Sequence, residues 1–228
     1  MLEQNANWYS QIVSDIYTLN LLQPVIQGYP FLPFTGSSFR PFCLAHILND
    51  IIVNNRENII EFGSGISTVL IGRLVKKNNL KTNILSVDHD ENWLKVLRKL
   101  IEGEKLENVI TLLHAPLSEN KLALENNKWY NVEALTHSTK NFDYDMVIVD
   151  GPPAWEASKS KSRYPALPFM LDKLSGKYSI YLDDAQRAGE KAILKKWEEE
   201  AGFKFKVTGG TLAYYYSGQG FYTEPFVY

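Results

Sequence analysis

The chain has 228 residues, of which 45% are hydrophobic and 22% are charged, and its formal net charge is −2. This composition is ordinary for a globular protein, and the balanced, scattered charges give no reason to expect a nucleic-acid partner. No apolar run reaches about 18 residues, and residues 1–7 lack the basic flank and apolar core of a secretory signal, so we expect neither a membrane span nor export.

The length predicts one domain over residues 1–228. Apolar spacing predicts helices over 8–22 and 41–53. Residues 28–41 are rich in Gly, Pro, Ser and Phe and are long for a connection, so we expect a covering loop. These helices and the loop would form a segment up to residue 55, followed by a core from 56 to 228. The single cysteine, Cys43, cannot form an intrachain disulfide, and we expect a cytoplasmic protein.

The most informative stretch is residues 58–68, where an apolar run, an acid, two spaced glycines and a helix opening follow in that order. Gly63 and Gly65 allow a tight turn in which a ligand can lie against bare backbone. Ser67 or Thr68 is expected to cap a helix over 69–77. The free N–H groups at the start of that helix attract an anionic group.

Two residues of this stretch narrow the ligand class. Thr68 stands where dinucleotide-binding loops place a third small residue, which disfavours a nicotinamide or flavin dinucleotide. Glu61 precedes the glycines and would repel a pyrophosphate, but it would attract an ammonium group. S-adenosylmethionine carries an ammonium and a carboxylate on one small head group and fits both features. The alternative is that Glu61 only ends a strand and the glycines only turn the chain.

The rest of the chain alternates strands and helices. Residues 116–141 are polar and predict one short helix and loops, and Gly103 and Gly202 are expected to end helices. This alternation predicts an α/β fold with a doubly wound, mostly parallel sheet and a C-terminal antiparallel hairpin around Gly209 and Gly210. The predicted strands are 84–87, 109–113, 145–150, 178–182, 203–207 and 212–216, and the predicted helices are 91–102, 167–174 and 185–200.

Acids stand at the ends of four predicted strands, where the ligands of such sheets bind. Asp88 follows Gly65 by 23 positions, close to the interval at which an acid holds ribose hydroxyls. His114 and Ala115 end the next strand and could flank an adenine, although His114 could equally lie in solvent. Trp93 is expected in the core, with adenine contact as the alternative. The five acids at the ends of the four predicted strands are Glu61, Asp88, Asp150, Asp183 and Asp184.

Three of these acids predict a metal site. Asp150 ends one strand and Asp183 and Asp184 end the next, so adjacent parallel strands would bring three carboxylates together. Oxygen ligands suit a hard cation such as Mg²⁺ or Mn²⁺. The alternative is capping, because Asp183 has capping-box spacing to Gln186 and Asp184 could cap a helix that begins at Ala185. Neither interpretation excludes the other.

As a set, residues 61–65, 86–88, 147–150 and the hairpin resemble the motifs of class I S-adenosylmethionine-dependent methyltransferases, from about residue 35 onward. Residues 150–152, 163–165 and 184–187 resemble the glucuronoxylan O-methyltransferase group. Asp150 with Asp183 and Asp184 resembles the metal ligands of catechol-type O-methyltransferases. Two departures are the lack of a clear counterpart of their catalytic lysine and the presence of Asp184 where they use Asn.

The resemblance implies a seven-stranded Rossmann-like sheet and an enzyme that methylates a hydroxyl of a sugar, a polysaccharide precursor or another small molecule with a divalent cation. Asp150, Asp184 and Arg163 are the expected catalytic residues. Arg163 and Tyr164 could bind an acidic or hydroxylated substrate, or they could instead be a structural ion pair and a packed aromatic. An inactive S-adenosylmethionine-binding module, an oxidoreductase using NAD or a nucleotide-sugar, and a homo-oligomer are left open. The donor site is expected to comprise Glu61, Gly63, Ser64, Gly65, Ser67, Thr68, Asp88, His89, His114, Ala115 and Asp150.

Overall fold

The computed structural model describes residues 2–140 and 142–226. Met1, Asn141 and residues 227–228 lie outside the described residues, so the outer ends of the predicted segments 1–7 and 116–141 are not compared. None of the described helices is both long enough and apolar enough to cross a membrane. In chain order the elements are α1 Leu2–Leu21, α2 Gln23–Ile26, α3 Pro41–Val53, β1 Asn58–Phe62, α4 Ile66–Asn78, β2 Asn83–Asp88, α5 Glu91–Glu104, β3 Ile110–His114, β4 Leu117–Ser118, β5 Trp129–Tyr130, α6 Val132–Thr139, β6 Tyr144–Val149, α7 Ala166–Met170, β7 Leu174–Leu182, α8 Ala188–Ala201, β8 Lys206–Thr208 and β9 Leu212–Tyr216.

Seven strands form one sheet in the order β3-β2-β1-β6-β7-β9-β8. The first five of these pair in parallel, β9 runs antiparallel to β7, and β8 and β9 form the terminal hairpin. Strand order switches direction between β1 and β6, which is where α/β sheets of this kind bind ligands. The predicted doubly wound, mostly parallel Rossmann-like fold with a C-terminal hairpin is confirmed.

Two hydrophobic clusters cover the two faces of the sheet. Ile59 belongs to one cluster, whereas Ile60 and Phe62 belong to the other, because successive strand side chains point to opposite faces. Val25 of α2 and Leu44 of α3 join the cluster that contains Ile59. The N-terminal helices and the sheet therefore share a core, while the division at residue 55 stays a prediction.

Two helix starts differ from the sequence prediction. Helix α4 begins at Ile66 rather than at residue 69, and Gly65 is the residue before it. Ser67 and Thr68 therefore lie inside the first turn and neither is the N-cap residue, although the Thr68 hydroxyl accepts from the backbone N–H of Gly65. Helix α8 begins at Ala188 rather than at Ala185, and no side chain caps it. The interpretation of Asp183 and Asp184 as caps is wrong, because the chain makes a further turn before the helix.

Two further local predictions were wrong. Gly103 lies within α5, which ends at Glu104 with Lys105 in the left-handed conformation (φ +56°). The polar segment expected to hold one helix and loops also contains the antiparallel pair β4–β5. At the other end of this helix Asp90 is the N-cap, and its carboxylate accepts from the backbone N–H groups of Asn92 and Trp93.

Candidate active site

The turn after β1 is shaped by one glycine more than by the other. Gly63 has φ +100°, and a Cβ there would lie 2.7 Å from the backbone nitrogen of Gly151, so only glycine fits. The same substitution at Gly65 meets nothing nearer than 3.7 Å. The turn brings the ends of β1 and β6 into contact and aims the N-terminus of α4 at the space above them.

Glu61 lies beneath this turn and is fully buried. Its carboxylate accepts hydrogen bonds from the hydroxyls of Ser67 (2.5 Å), Ser86 (2.7 Å) and Thr68. Burial raises the pKa of Glu61, and the three hydroxyls oppose that shift. Thr68 also accepts from the N–H of Gly65 at 3.0 Å. Glu61 therefore fixes the glycine turn and the first turn of α4, and its direct contact with a ligand ammonium stays a prediction.

Asp88 at the end of β2 ties three backbone segments together. Its carboxylate accepts from the N–H of Ser64 at 3.0 Å and from the N–H of Asp90 at 2.8 Å. The Nδ1 atom of His89 lies 3.1 Å from the same carboxylate, and this hydrogen bond raises the pKa of His89. Asp88 therefore joins the glycine turn to the start of α5, and its contact with a ribose stays a prediction.

A second group, the acid–arginine cluster, comprises Asp150, Asp183, Asp184 and Glu190 with Arg163 and Arg187. The guanidinium of Arg163 donates to Asp150 at 3.2 Å and to Asp184 at 3.1 Å. It also lies 3.7 Å from Glu190. Arg187 lies 2.8 Å from Asp184. Asp184 has φ +60°, a left-handed conformation that aspartate tolerates better than most residues.

Burial dominates the electrostatics of this cluster. It raises the pKa of Asp150 well above its ordinary value, and the Arg163 charge opposes this. The pKa of Asp183 is raised to about 7, first by burial and then by the charge of Asp184. Burial also raises the pKa of Glu190. The carboxylates are thus costly to ionise together unless cations face them.

The two neighbours Arg163 and Tyr164 have different surroundings. Arg163 is only 3% exposed and forms the buried ion pairs described above. The Tyr164 hydroxyl donates to the Glu200 carboxylate at 2.6 Å, and the Tyr164 backbone carbonyl accepts from the indole N–H of Trp197. Tyr164 is therefore a packed aromatic outside the acid–arginine cluster, while Arg163 is a structural counter-ion that also lines the cavity.

The glycine turn, Asp88 and most of the acid–arginine cluster line one cavity of about 410 Å³. Four of the predicted site residues do not line this cavity: Glu61, Thr68, His114 and Ala115. His114 is exposed and its Nε2 lies 3.1 Å from the carbonyl oxygen of His89, whereas Ala115 is buried. The predicted site residues that line the cavity are Gly63, Ser64, Gly65, Ser67, Asp88, His89, Asp150, Arg163, Asp183 and Asp184.

A family model described as a methyltransferase domain matches residues 60–185, more than half of the chain. The chain belongs to this methyltransferase family. The match spans β1, the glycine turn, Asp88, Asp150 and the two acids after β7. The predicted S-adenosylmethionine-dependent methyltransferase is confirmed, and the oxidoreductase alternative is set aside. No curated protein matches the chain at a significant level.

Solved structures share the fold of this methyltransferase at low sequence identity. A protein provisionally described as a caffeoyl-CoA O-methyltransferase from Staphylococcus aureus has a TM-score of 0.62 at 14% identity, covering 90% of this chain and 99% of its own. An O-methyltransferase from Bacillus cereus in complex with SAH has a TM-score of 0.52 at 16% identity, covering 94% of this chain and 99% of its own. The O-methyltransferase TomG from Streptomyces achromogenes has a TM-score of 0.52 at 13% identity, covering 86% of each chain. That protein is involved in tomaymycin synthesis and its structure is in complex with SAM.

Trp93 packs on the core as expected and also lines the cavity, and its indole N–H donates to the carbonyl of Ser64 at 2.7 Å. Its contact with an adenine stays a prediction. Two other aromatic residues of the methyltransferase cavity were missed from the sequence. Tyr130 lines it from β5, a strand that was not predicted, and Trp155 lines it with 67% of its surface exposed. The signals that could have found them are aromatic residues in otherwise polar or Pro-rich segments.

Proposed function

We propose that this methyltransferase transfers the methyl group of S-adenosylmethionine to a hydroxyl oxygen of a small molecule, with a sugar or a polysaccharide precursor as the favoured class. One observation carries the proposal. The glycine turn with Asp88 and the acid–arginine cluster lie at the ends of neighbouring strands and share one cavity. A donor on the first and an acceptor beside the second would meet at the switch point of the sheet.

On the donor side, the backbone at Gly63 and Gly65 and the N-terminus of α4 would receive the methionine portion. Glu61, Ser67 and Thr68 would hold that turn, and Asp88 with His89 would receive the ribose. Adenine contact by His114 and Ala115 stays part of the proposal, although neither lines the described cavity. Asp150 lies between the glycine turn and the rest of the acid–arginine cluster and would face both donor and acceptor.

The reaction is an in-line displacement in which the acceptor oxygen bonds to the methyl carbon as the carbon–sulfur bond breaks. S-adenosylhomocysteine leaves and the hydroxyl proton passes to a base. Alignment alone can supply about 7–11 kcal/mol of such a barrier. Arg163 would hold Asp150 and Asp184 in the geometry that orients the acceptor.

We also propose a divalent cation, Mg²⁺ or Mn²⁺, at Asp150, Asp183 and Asp184. One oxygen from each carboxylate lies within 4.8 Å of the others, and hard cations prefer oxygen ligands. Arg163 contacts one oxygen of Asp150 and one of Asp184, which leaves the second oxygen of each. Four carboxyl groups of the cluster face two guanidinium groups, so a divalent charge would balance it. When bound, the cation would favour loss of the acceptor proton.

The lining of the cavity supports a hydroxylated substrate. Thr35, Ser37 and Ser38 of the covering loop contribute to it together with Arg187 and the exposed Trp155. Hydroxyls and an aromatic face suit a sugar ring. We place the reaction in the cytoplasm, and the lone buried Cys43 accords with this.

Association between copies would be favoured by the exposed apolar side chains of α1, among them Trp8, Tyr9, Ile16 and Tyr17.

A screen of sugars and polyphenols with methyl-labelled S-adenosylmethionine tests the proposal. We expect label on a hydroxyl of one acceptor class, loss of turnover with EDTA, and recovery with Mg²⁺ or Mn²⁺. Asp150→Asn/Asp184→Asn should lose turnover, whereas the exposed Asp172→Asn should not. Donor binding without turnover on any acceptor would favour the inactive module, and activity that survives EDTA would remove the cation.

A further inference from the structure

Tyr130 is a buried tyrosine that lines the cavity beside the glycine turn. Its ring is fully buried on β5 and stacks on Phe62 of β1, with ring centroids 5.9 Å apart. Its far end lies against Gly151, since a Cβ on that glycine would come within 2.3 Å of the Tyr130 oxygen. The same Cβ would lie 2.7 Å from the Cα of Gly63. The hydroxyl therefore stands where the glycine turn meets the end of β6.

Packing does not explain this hydroxyl. The oxygen is buried and has no hydrogen-bond partner among the described residues, although Tyr130 itself lines the cavity. A buried polar group without a partner destabilises the folded state, and phenylalanine would fill the same space without that penalty. By contrast, the buried Tyr181 on the other face of the sheet bonds Asp50 at 3.0 Å and Tyr216 at 2.8 Å.

The charges around Tyr130 indicate what its oxygen can face. Burial raises its pKa well above the ordinary value, the charge of Asp88 adds to this and the charge of Arg163 opposes it, so the phenol is neutral at neutral pH. The oxygen of a neutral phenol has lone pairs that can accept from a positively charged or polarised group. The reacting centre of a methyl donor held at Gly63 and Asp88 is such a group, because its sulfonium is positive and polarises the methyl C–H bonds.

We propose that the Tyr130 hydroxyl oxygen contacts the sulfonium methyl group of bound S-adenosylmethionine and positions it between the glycine turn and Asp150. The inference rests on the proposed placement of the donor in this cavity and adds Tyr130 to the residues that contact the donor. The interaction is of the C–H···O type, which is weak singly but directional. S-adenosylhomocysteine lacks both the methyl group and the charge, so the interaction distinguishes substrate from product.

Calorimetric binding of both ligands to Tyr130→Phe, with thermal melting of the ligand-free protein, tests the proposal. We expect the variant to melt no lower than the wild type. Its affinity for S-adenosylmethionine should fall about twofold to fivefold for each C–H···O interaction that the hydroxyl makes, while its affinity for S-adenosylhomocysteine stays within about twofold. The matched control Tyr181→Phe should melt lower, because its hydroxyl has partners, and should bind both ligands as the wild type does.

Three results would overturn the inference. Equal weakening of both ligands would place the hydroxyl on a part that they share. Unchanged affinity for both would remove Tyr130 from the donor site. A drop in melting temperature as large as that of Tyr181→Phe would mean that the hydroxyl has a structural partner. Failure of the wild type to bind either ligand would instead contradict the donor site itself.

Discussion

At the scale of single residues, Arg163 is the group on which the acid–arginine cluster depends. Its guanidinium is buried and contacts Asp150, Asp184 and Glu190, which lie on or after three different elements. Removing one partner of a buried ion pair leaves an uncompensated charge, which costs about 3–5 kcal/mol. Exposed ion pairs contribute far less, because water and salt screen them.

We therefore expect Arg163→Met to lower the free energy of unfolding by about 3–5 kcal/mol, since the buried Glu190 and the half-buried Asp150 and Asp184 lose their shared cation. Urea denaturation measures this. Lys195→Met, which removes an exposed pair with Glu199, is the control and should change stability by less than about 0.5 kcal/mol. Equal effects of the two substitutions would show that Arg163 does not hold the cluster.

The site residues differ in how far the sequence predicts them. Asp88 and Asp150 follow apolar runs, and their positions at strand ends come directly from that pattern. One of the three partners of Glu61 could not be predicted in the same way, because Ser86 reaches it from a neighbouring strand. Tyr130 was missed because a two-residue strand has no periodicity and is defined only by its pairing with β4.

At the scale of elements, the β1–α4 turn depends on Gly63 rather than equally on both glycines. The sequence pattern treats Gly63 and Gly65 alike, but only Gly63 has a left-handed φ and a neighbouring backbone within 2.7 Å of a Cβ. Gly65 has an extended backbone that any residue adopts, with φ −159°.

Gly63→Ala should accordingly destabilise the protein by more than about 1–3 kcal/mol, the range for strained backbone alone, because the methyl group also collides with Gly151. Gly65→Ala should stay within about 1 kcal/mol of the wild type. Thermal melting and urea titration of the two ligand-free variants check this. Equal loss of stability would mean that both positions are constrained in the same way.

The packing of α3 on β9 makes stability depend on pH. His46 is fully buried and its Nε2 lies 2.8 Å from the Tyr216 hydroxyl. Burial lowers the pKa of His46 to about 4, although the charges of Glu224 and Asp50 oppose the shift. A histidine with a lowered pKa stabilises the fold above its unfolded pKa of about 6.5, and this contribution is lost as the pH falls through about 4.

Acidification from pH 6.5 to 4 should thus remove up to about 3 kcal/mol of stability through His46. His46→Gln should flatten the dependence of the unfolding free energy on pH in that window, since the side chain no longer titrates. His137→Gln removes an exposed histidine and should keep the slope of the wild type. An unchanged slope in His46→Gln would place the pH dependence elsewhere.

At the scale of the whole molecule, the sheet order explains why residues far apart in sequence form one site. The turn after β1 and the end of β6 are neighbours at the switch point, and Asp183 and Asp184 follow the next strand. Alternating apolar runs were enough to predict this architecture. They did not predict where α8 begins, because the turn at residues 184–187 is held by tertiary contacts with Arg163 rather than by a capping residue.

The central claim is that the strand ends of β1 and β2 hold S-adenosylmethionine, and calorimetric titration with S-adenosylhomocysteine tests it most directly. The account predicts that the wild type binds S-adenosylhomocysteine and does not bind NAD. It predicts that Asp88→Ala binds at least about tenfold more weakly, because hydrogen bonds to a charged group contribute about 1.5–3 kcal/mol each. The exposed Asp172→Ala should bind as the wild type does. Absence of S-adenosylhomocysteine binding, NAD binding of equal strength, or unchanged affinity in Asp88→Ala would contradict the account.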